Sequence, residues 1–206
     1  MKVKMCGLKR MEDIRYVNEV KPDYAGFVFA KSKRKVTSIQ AKKFREEMDA
    51  SIKAVGVFVN EPLESMLSIA REVPLDVIQL HGDEGEADIL ALKEVLHVEI
   101  WKAVRVKDLS DIEEAQKLSA DKLLFDSFCK EAYGGTGRVM DIDLIKKATI
   151  IKPFFVAGGL NIENTDGIIK QIAPYGIDIS SGIETDEWKD LEKMKQIMNI
   201  AGGRDE

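Results

Sequence analysis

The groups in this sequence able to move protons or hold anions are a thiol, a carboxyl, a guanidinium and two clusters of small residues. Cys6 closes the apolar run VKMCG directly before a glycine. A thiol there is either a buried structural group or a base at the mouth of a site, and residue type alone leaves both readings open. Asp126 follows the apolar run LLF, where partial desolvation suits a carboxyl for proton donation, though aspartate also favours turns and caps. Arg34 lies in the dense basic run KSKRK at 31–35. It offers a planar fork to a carboxylate or belongs to a solvated turn. The stretches AGGLNIEN (157–164) and SSGIE (180–184) bring backbone close to a ligand, a pattern suited to phosphate, with Asn161 expected to cap the helix that follows.

These groups need elements that point them at one place. Short strand-like runs occur at 3–7, 24–29, 53–59, 77–81, 99–104, 122–126, 154–159 and 176–182. Between and after them lie segments with helical periodicity at 11–20, 38–48, 62–73, 86–96, 108–119, 141–148, 161–172 and 190–201. The repeat length is that of a strand, a helix and two loops. Eight such units without a linker or a composition break, and with no GxGxxG after the first strand, predict one (β/α)8 TIM barrel over residues 1–206 rather than an open doubly wound sheet.

In a barrel, alternate strand residues face the lumen. Lys4 and Cys6 then share the lumen side of the first strand, Gln79 and His81 that of the fourth, and Asp178 and Ser180 that of the eighth. Their opposite-parity neighbours Val3, Met5, Ile78, Leu80, Ile177 and Ile179 are apolar, as positions beneath helices should be. Lys4 and Gln79 fit buried hydrogen-bond layers as well as they fit a site. His81 suits loop orientation or proton transfer, and His97 reads as a surface residue at a helix end. The glycine-bearing stretch 127–141, with Gly134, Gly135 and Gly137, is long for a strand-to-helix connection and is expected to act as a lid or as flexible filler. Cys129 within it is read as incidental.

Composition limits the partners. With 31 basic and 36 acidic residues the net charge is -5, against the basic footprint of a nucleic-acid binder. No apolar run reaches the length of a membrane span. The two cysteines lack metal or redox spacing, and the chain opens straight into a strand-like segment, so a cytoplasmic protein is expected.

The motifs VKMCGL, GFVFAKSKR (26–34), VGVFVN (55–60), VIQLHG (77–82), LLFDS (123–127), YGGTG (133–137), FFVAGGLNIEN (154–164) and IDISSGIE (177–184) recur in one order. In this set the chain closely resembles the phosphoribosylanthranilate isomerases of tryptophan biosynthesis. The resemblance implies an Amadori rearrangement of N-(5-phosphoribosyl)anthranilate to the 1-deoxyribulose 5-phosphate, without metal or organic cofactor. It makes Asp126 the general acid toward the ring oxygen and Cys6 the general base at C2′. Arg34 would hold the anthranilate carboxylate, and Gly158, Gly159, Ser180, Ser181 and Gly182 the phosphate. Lys4, Gln79, His81 and Asp178 would support them, with Lys4 a candidate source of charge to ionise Cys6. Both monomers and homodimers fit this architecture. Three departures from the family pattern stand out: Lys9 where threonine is usual, Met140–Asp141–Ile142, and IETDEWKDLEK without the expected Pro–Gly pair. A related isomerase of histidine biosynthesis would be expected to carry paired aspartates, and a noncatalytic phosphosugar-binding barrel would have no need of Cys6, Asp126 and Arg34 together.

Overall fold

The strands are largely buried on both faces, one covered by helices and one by the opposite side of a closed sheet. In the computed structural model, which describes residues 1–127 and 142–202, β1 (Lys2–Cys6), β2 (Tyr24–Val28), β3 (Lys53–Phe58), β4 (Val77–Leu80), β5 (Glu99–Val106), β6 (Lys122–Ser127), β7 (Phe154–Val156) and β8 (Gly176–Ile179) form one closed barrel in sequence order. All neighbours are parallel, and β1 closes the ring on β8 with Lys4 opposite Asp178. The helices α1 (Met11–Val20), α2 (Ser38–Glu47), α3 (Leu63–Glu72), α4 (Glu86–Val95), α5 (Leu109–Ala115), α6 (Ile142–Lys147), α7 (Thr165–Ile172) and α8 (Leu191–Gly202) form the outer layer. The expected (β/α)8 barrel is therefore the fold. No described helix is long and apolar enough to cross a membrane.

Local signals set the helix ends. Thr37 accepts from Gln40 N at 3.2 Å while the Gln40 side chain accepts from Thr37 N at 2.9 Å, a reciprocal cap that starts α2. Asp13 plays a similar part for α1, accepting from the backbone of Lys9 and Arg10. The expected helix at 161–172 instead begins at Thr165, because Asn161 first accepts from Glu163 N and Asn164 N and so caps a preceding turn. The expected 108–119 helix stops at Ala115. Gln116 beyond it is held at both side-chain ends by the backbone of Thr149 and Ile151. The eighth strand ends at Ile179 rather than 182, since a 3-10 turn occupies Ser181–Ile183.

A hairpin missing from the sequence reading follows that turn. Strands β9 (Glu184–Thr185) and β10 (Trp188–Lys189) pair antiparallel, joined by Asp186 and Glu187, both with left-handed φ of 51° and 66°. Two-residue hairpin turns require this backbone, and glycine or asparagine usually supplies it. Asp190 then accepts from the backbone of Glu192 and Lys193 to start α8.

The barrel interior is layered. Tyr24, Trp101 and Phe155 fill the end where the strands begin, with Trp101 stacked on Phe155 at 4.6 Å and Tyr24 edge-on to both. Trp101 is fully buried and satisfies its indole N–H on Glu99 Oε2 at 2.7 Å. The residues of the candidate site gather at the opposite end, where the strands finish. Trp101→Ala should destabilise the barrel by about 3–5 kcal/mol in urea unfolding, as a large aromatic removed from a packed interior does; a loss below about 1 kcal/mol would show that the floor readily collapses.

Candidate active site

Strand alternation delivers its polar residues to one cleft at the strand C-termini. Cys6, Gln79, His81, Asp126 and Asp178 line it, as do Arg34, Gly158, Gly159, Ser180 and Ser181. Of the lumen-facing polar residues expected from parity, all but Lys4 line the cleft, and Lys4 lies buried behind it against Asp178. His97 is exposed, as expected. The expected lid at 127–141, with Cys129, lies outside the described residues apart from Ser127, which ends β6.

On one wall, Gln79, His81 and Asp126 form a chain. Gln79 Nε2 stands 2.8 Å from His81 Nδ1, and His81 Nε2 stands 3.2 Å from Asp126 Oδ2. With Gln79 donating, the imidazole proton is on Nε2 and points at the carboxylate. The other carboxylate oxygen, Oδ1, accepts from Ser127 N at 2.7 Å. Asp126 is 4% exposed, so this carboxyl is fixed on both oxygens. Gly158 completes its surroundings: φ is +86°, and a Cβ there would meet Asp126 Oδ1 at 2.6 Å.

The facing wall carries Cys6, Lys4 and Asp178. Lys4 is fully buried and donates to Asp178 Oδ2 at 2.8 Å. Burial pushes the Cys6 thiol above its ordinary value, the Lys4 ammonium pulls it back, and Asp178 pushes it up again. Burial wins, so the thiol form dominates in the free site. For Lys4 itself burial favours the neutral amine, yet the charges of Asp178 and Cys6 outweigh it and raise its pKa. Two buried acceptors in the cleft, Gln79 Oε1 and Asp178 Oδ1, have no hydrogen-bond partner among the described residues.

Three loops meet at the rim of the cleft. Ser180 Oγ donates to Cys6 O at 3.0 Å, tying the turn after β8 to the end of β1. Asn164 Nδ2 donates to Gly159 O at 2.8 Å and fixes the turn after β7. Gly182 sits behind the cleft wall, where a Cβ would meet Leu160 O at 1.9 Å. Arg34 is 7% exposed rather than a solvated basic turn. Its Nε and Nη2 donate to Glu184 Oε1 and Oε2, both at 2.7 Å.

Glu184 and Lys189 are the residues that sequence reasoning passed over. Glu184 also accepts from Lys189 Nζ at 2.8 Å, and Lys189 in turn donates to Ser180 O at 3.0 Å. Burial opposes the Glu184 charge, but the hydrogen bonds and charges of Arg34 and Lys189 hold its carboxyl down at about 2. Lys189 is itself lowered, by burial first, with Glu184 working against that shift. The available signal was the glutamate closing SSGIE; the hairpin that returns Lys189 beneath it has no glycine turn to announce it.

The profile described as N-(5'phosphoribosyl)anthranilate (PRA) isomerase matches residues 3–200. The chain belongs to that family. An N-(5'-phosphoribosyl)anthranilate isomerase of Thermoanaerobacter sp. (strain X514) is 45% identical over 203 residues, covering 98% of each chain. The crystal structure of phosphoribosyl anthranilate isomerase from Thermotoga maritima superposes with a TM-score of 0.85 at 32% identity, covering 98% of this chain and 99% of that one. A family structure in complex with reduced 1-(o-carboxyphenylamino)-1-deoxyribulose 5-phosphate gives a TM-score of 0.82 at 31% identity, over 98% and 99%.

Two departures from the family pattern meet in space. Lys9 Nζ lies 4.3 Å and the Arg10 guanidinium 4.5 Å from the Trp188 ring centroid, so the lysine after the first motif packs on the hairpin that replaces Pro–Gly. Lys33 pairs with Glu187 at 2.7 Å on the same hairpin. Of the third departure, only Ile142 lies among the described residues.

Replacing Lys4 with methionine removes the charge that lowers the Cys6 pKa while burial continues to raise it. In a Cys129→Ser background, the ultraviolet thiolate signal of Cys6 should therefore appear at higher pH than in the parent protein. An unchanged or more acidic titration would remove Lys4 from that role.

Proposed function

We propose that Cys6 and Asp126 are the acid–base pair for the family's Amadori rearrangement of N-(5-phosphoribosyl)anthranilate. The observation that carries this reading is their placement on opposite walls of one cleft that Arg34 and the small-residue turns after β7 and β8 also line. Asp126 donates its proton to the furanose oxygen, and the C1′–O bond breaks to give a cationic Schiff base. Cys6, as thiolate, removes the C2′ proton and leaves a neutral enolamine. Loss of the enol proton and gain of one at C1′ give the ketone. Each turnover thus moves one proton from Asp126 to Cys6, and solvent returns it before the next.

The electrostatics support this order. The free thiol is disfavoured as an anion by burial. Ring opening places a positive charge one bond from the proton to be removed, which favours the thiolate at the step that needs it. His81, held by Gln79, aims an N–H at the carboxylate left on Asp126. The unpartnered acceptors Gln79 Oε1 and Asp178 Oδ1 suit ribose hydroxyls, because buried acceptors rarely go unpaired.

Arg34 is the proposed carboxylate ligand and the Gly158–Gly159 and Ser180–Ser181 turns the phosphate cradle, with Gly182 supporting the latter. The co-crystallised compound in the family structure carries both a carboxylate and a phosphate, which supports two anionic ends separated by a sugar. Proton transfer between these two side chains requires no metal ion.

A fluorescence assay of phosphoribosylanthranilate consumption tests the reading. Cys6→Ser and Asp126→Asn should each lower kcat by about 10²–10⁴-fold, the usual contribution of a positioned acid or base, with product affinity much less changed. Near-normal turnover in either variant removes that residue from its role. Arg34→Ala should raise KM about tenfold or more, the loss expected for a hydrogen bond to a charged group, and unchanged kinetics would sink the carboxylate assignment.

A further inference from the structure

The guanidinium of Arg34 is useful to a ligand only if its plane is fixed. Glu184 grips its Nε and Nη2 in a two-bond fork with both distances at 2.7 Å. That leaves the Nη1 and outer Nη2 protons, on the edge turned away from Glu184, in a side chain that lines the cleft. The side chains of both residues are buried, 9% and 7% exposed, so neither reorients without breaking a desolvated ion pair.

A second cation keeps Glu184 in place. Lys189 Nζ, on a side chain 1% exposed, donates to Glu184 Oε1 at 2.8 Å and to Ser180 O at 3.0 Å. The triad Arg34–Glu184–Lys189 thus runs from the proposed carboxylate end to the turn proposed to hold phosphate. Lys193 Nζ adds a bond to Glu184 O at 2.7 Å. Two cations around one buried carboxylate make the charge of Glu184 obligatory.

We propose that Glu184 is a positioning residue for substrate recognition: it orients Arg34 toward the substrate carboxylate and, through Lys189, fixes that contact relative to the phosphate turn. It touches no reacting atom, and its effect is felt in binding of the aromatic carboxylate rather than in proton transfer. This inference rests on the carboxylate assignment of Arg34.

The test compares two substrates: N-(5-phosphoribosyl)anthranilate and N-(5-phosphoribosyl)aniline, which lacks the carboxylate. Turnover of the first by the unmodified protein tests the functional reading on its own. Glu184→Gln should raise KM for the carboxylated substrate about tenfold, as expected when a charge-assisted hydrogen bond is misdirected, while kcat changes less than about twofold. KM for the aniline substrate should stay near its starting value, so discrimination between the two collapses. Because Glu184→Gln leaves two cations unbalanced, Glu184→Gln with Lys189→Gln provides a charge-balanced second variant with the same expected loss of discrimination. Equal KM increases for both substrates, retained discrimination, or failure of both variants to fold would overturn the proposal.

Discussion

A lysine with no exposed surface, paired with an aspartate across the seam where the first strand meets the last, anchors the chemistry of this barrel. Lys4 is cut off from solvent, and its charge persists because Asp178 answers it at 2.8 Å, with Cys6 adding to the effect. Removing either partner from such a buried pair typically costs about 3–5 kcal/mol, since it strands the other charge. The pair also stands beside Cys6, so an ion pair across the seam that closes the ring helps set the proton affinity of the proposed base.

The rest of the interior follows from that constraint. A closed lumen admits no solvent at its floor, which is therefore aromatic, and polar groups concentrate where loops can satisfy them. Asp126 is fixed through His81 and Ser127 on one wall, while Cys6 is fixed through its carbonyl bond to Ser180 on the other. Beyond them, Arg34, Glu184 and Lys189 alternate in charge so that none is left unpaired. Each layer hands the next its orientation.

Much of this was legible in the sequence because strand period is rigid. Two-residue alternation placed Lys4 with Cys6, Gln79 with His81 and Asp178 with Ser180 on the lumen side; five of them line the cleft, and Lys4 bonds Asp178 just behind it. Boundaries were less legible where side chains override propensity, as at Asn161, Gln116 and Ser180. The Glu184–Lys189 hairpin escaped because Asp186 and Glu187 adopt backbone angles that their residue types seldom signal. The burial of Arg34 escaped because a basic run looks solvated until its acidic partner, 150 positions away, is known. Pairings at such separation carry no local period to read.

Gly26, opposite Cys6 in the β1–β2 register, is a small residue with a large reach. A Cβ on it would come within 2.7 Å of Cys6 Sγ. The thiol therefore occupies a niche that its neighbouring strand leaves open, and the size of the base on one strand is limited by an absent side chain on the next. Any redesign that exchanges sulfur for a different proton acceptor must treat these two positions as one unit, because the niche belongs to both.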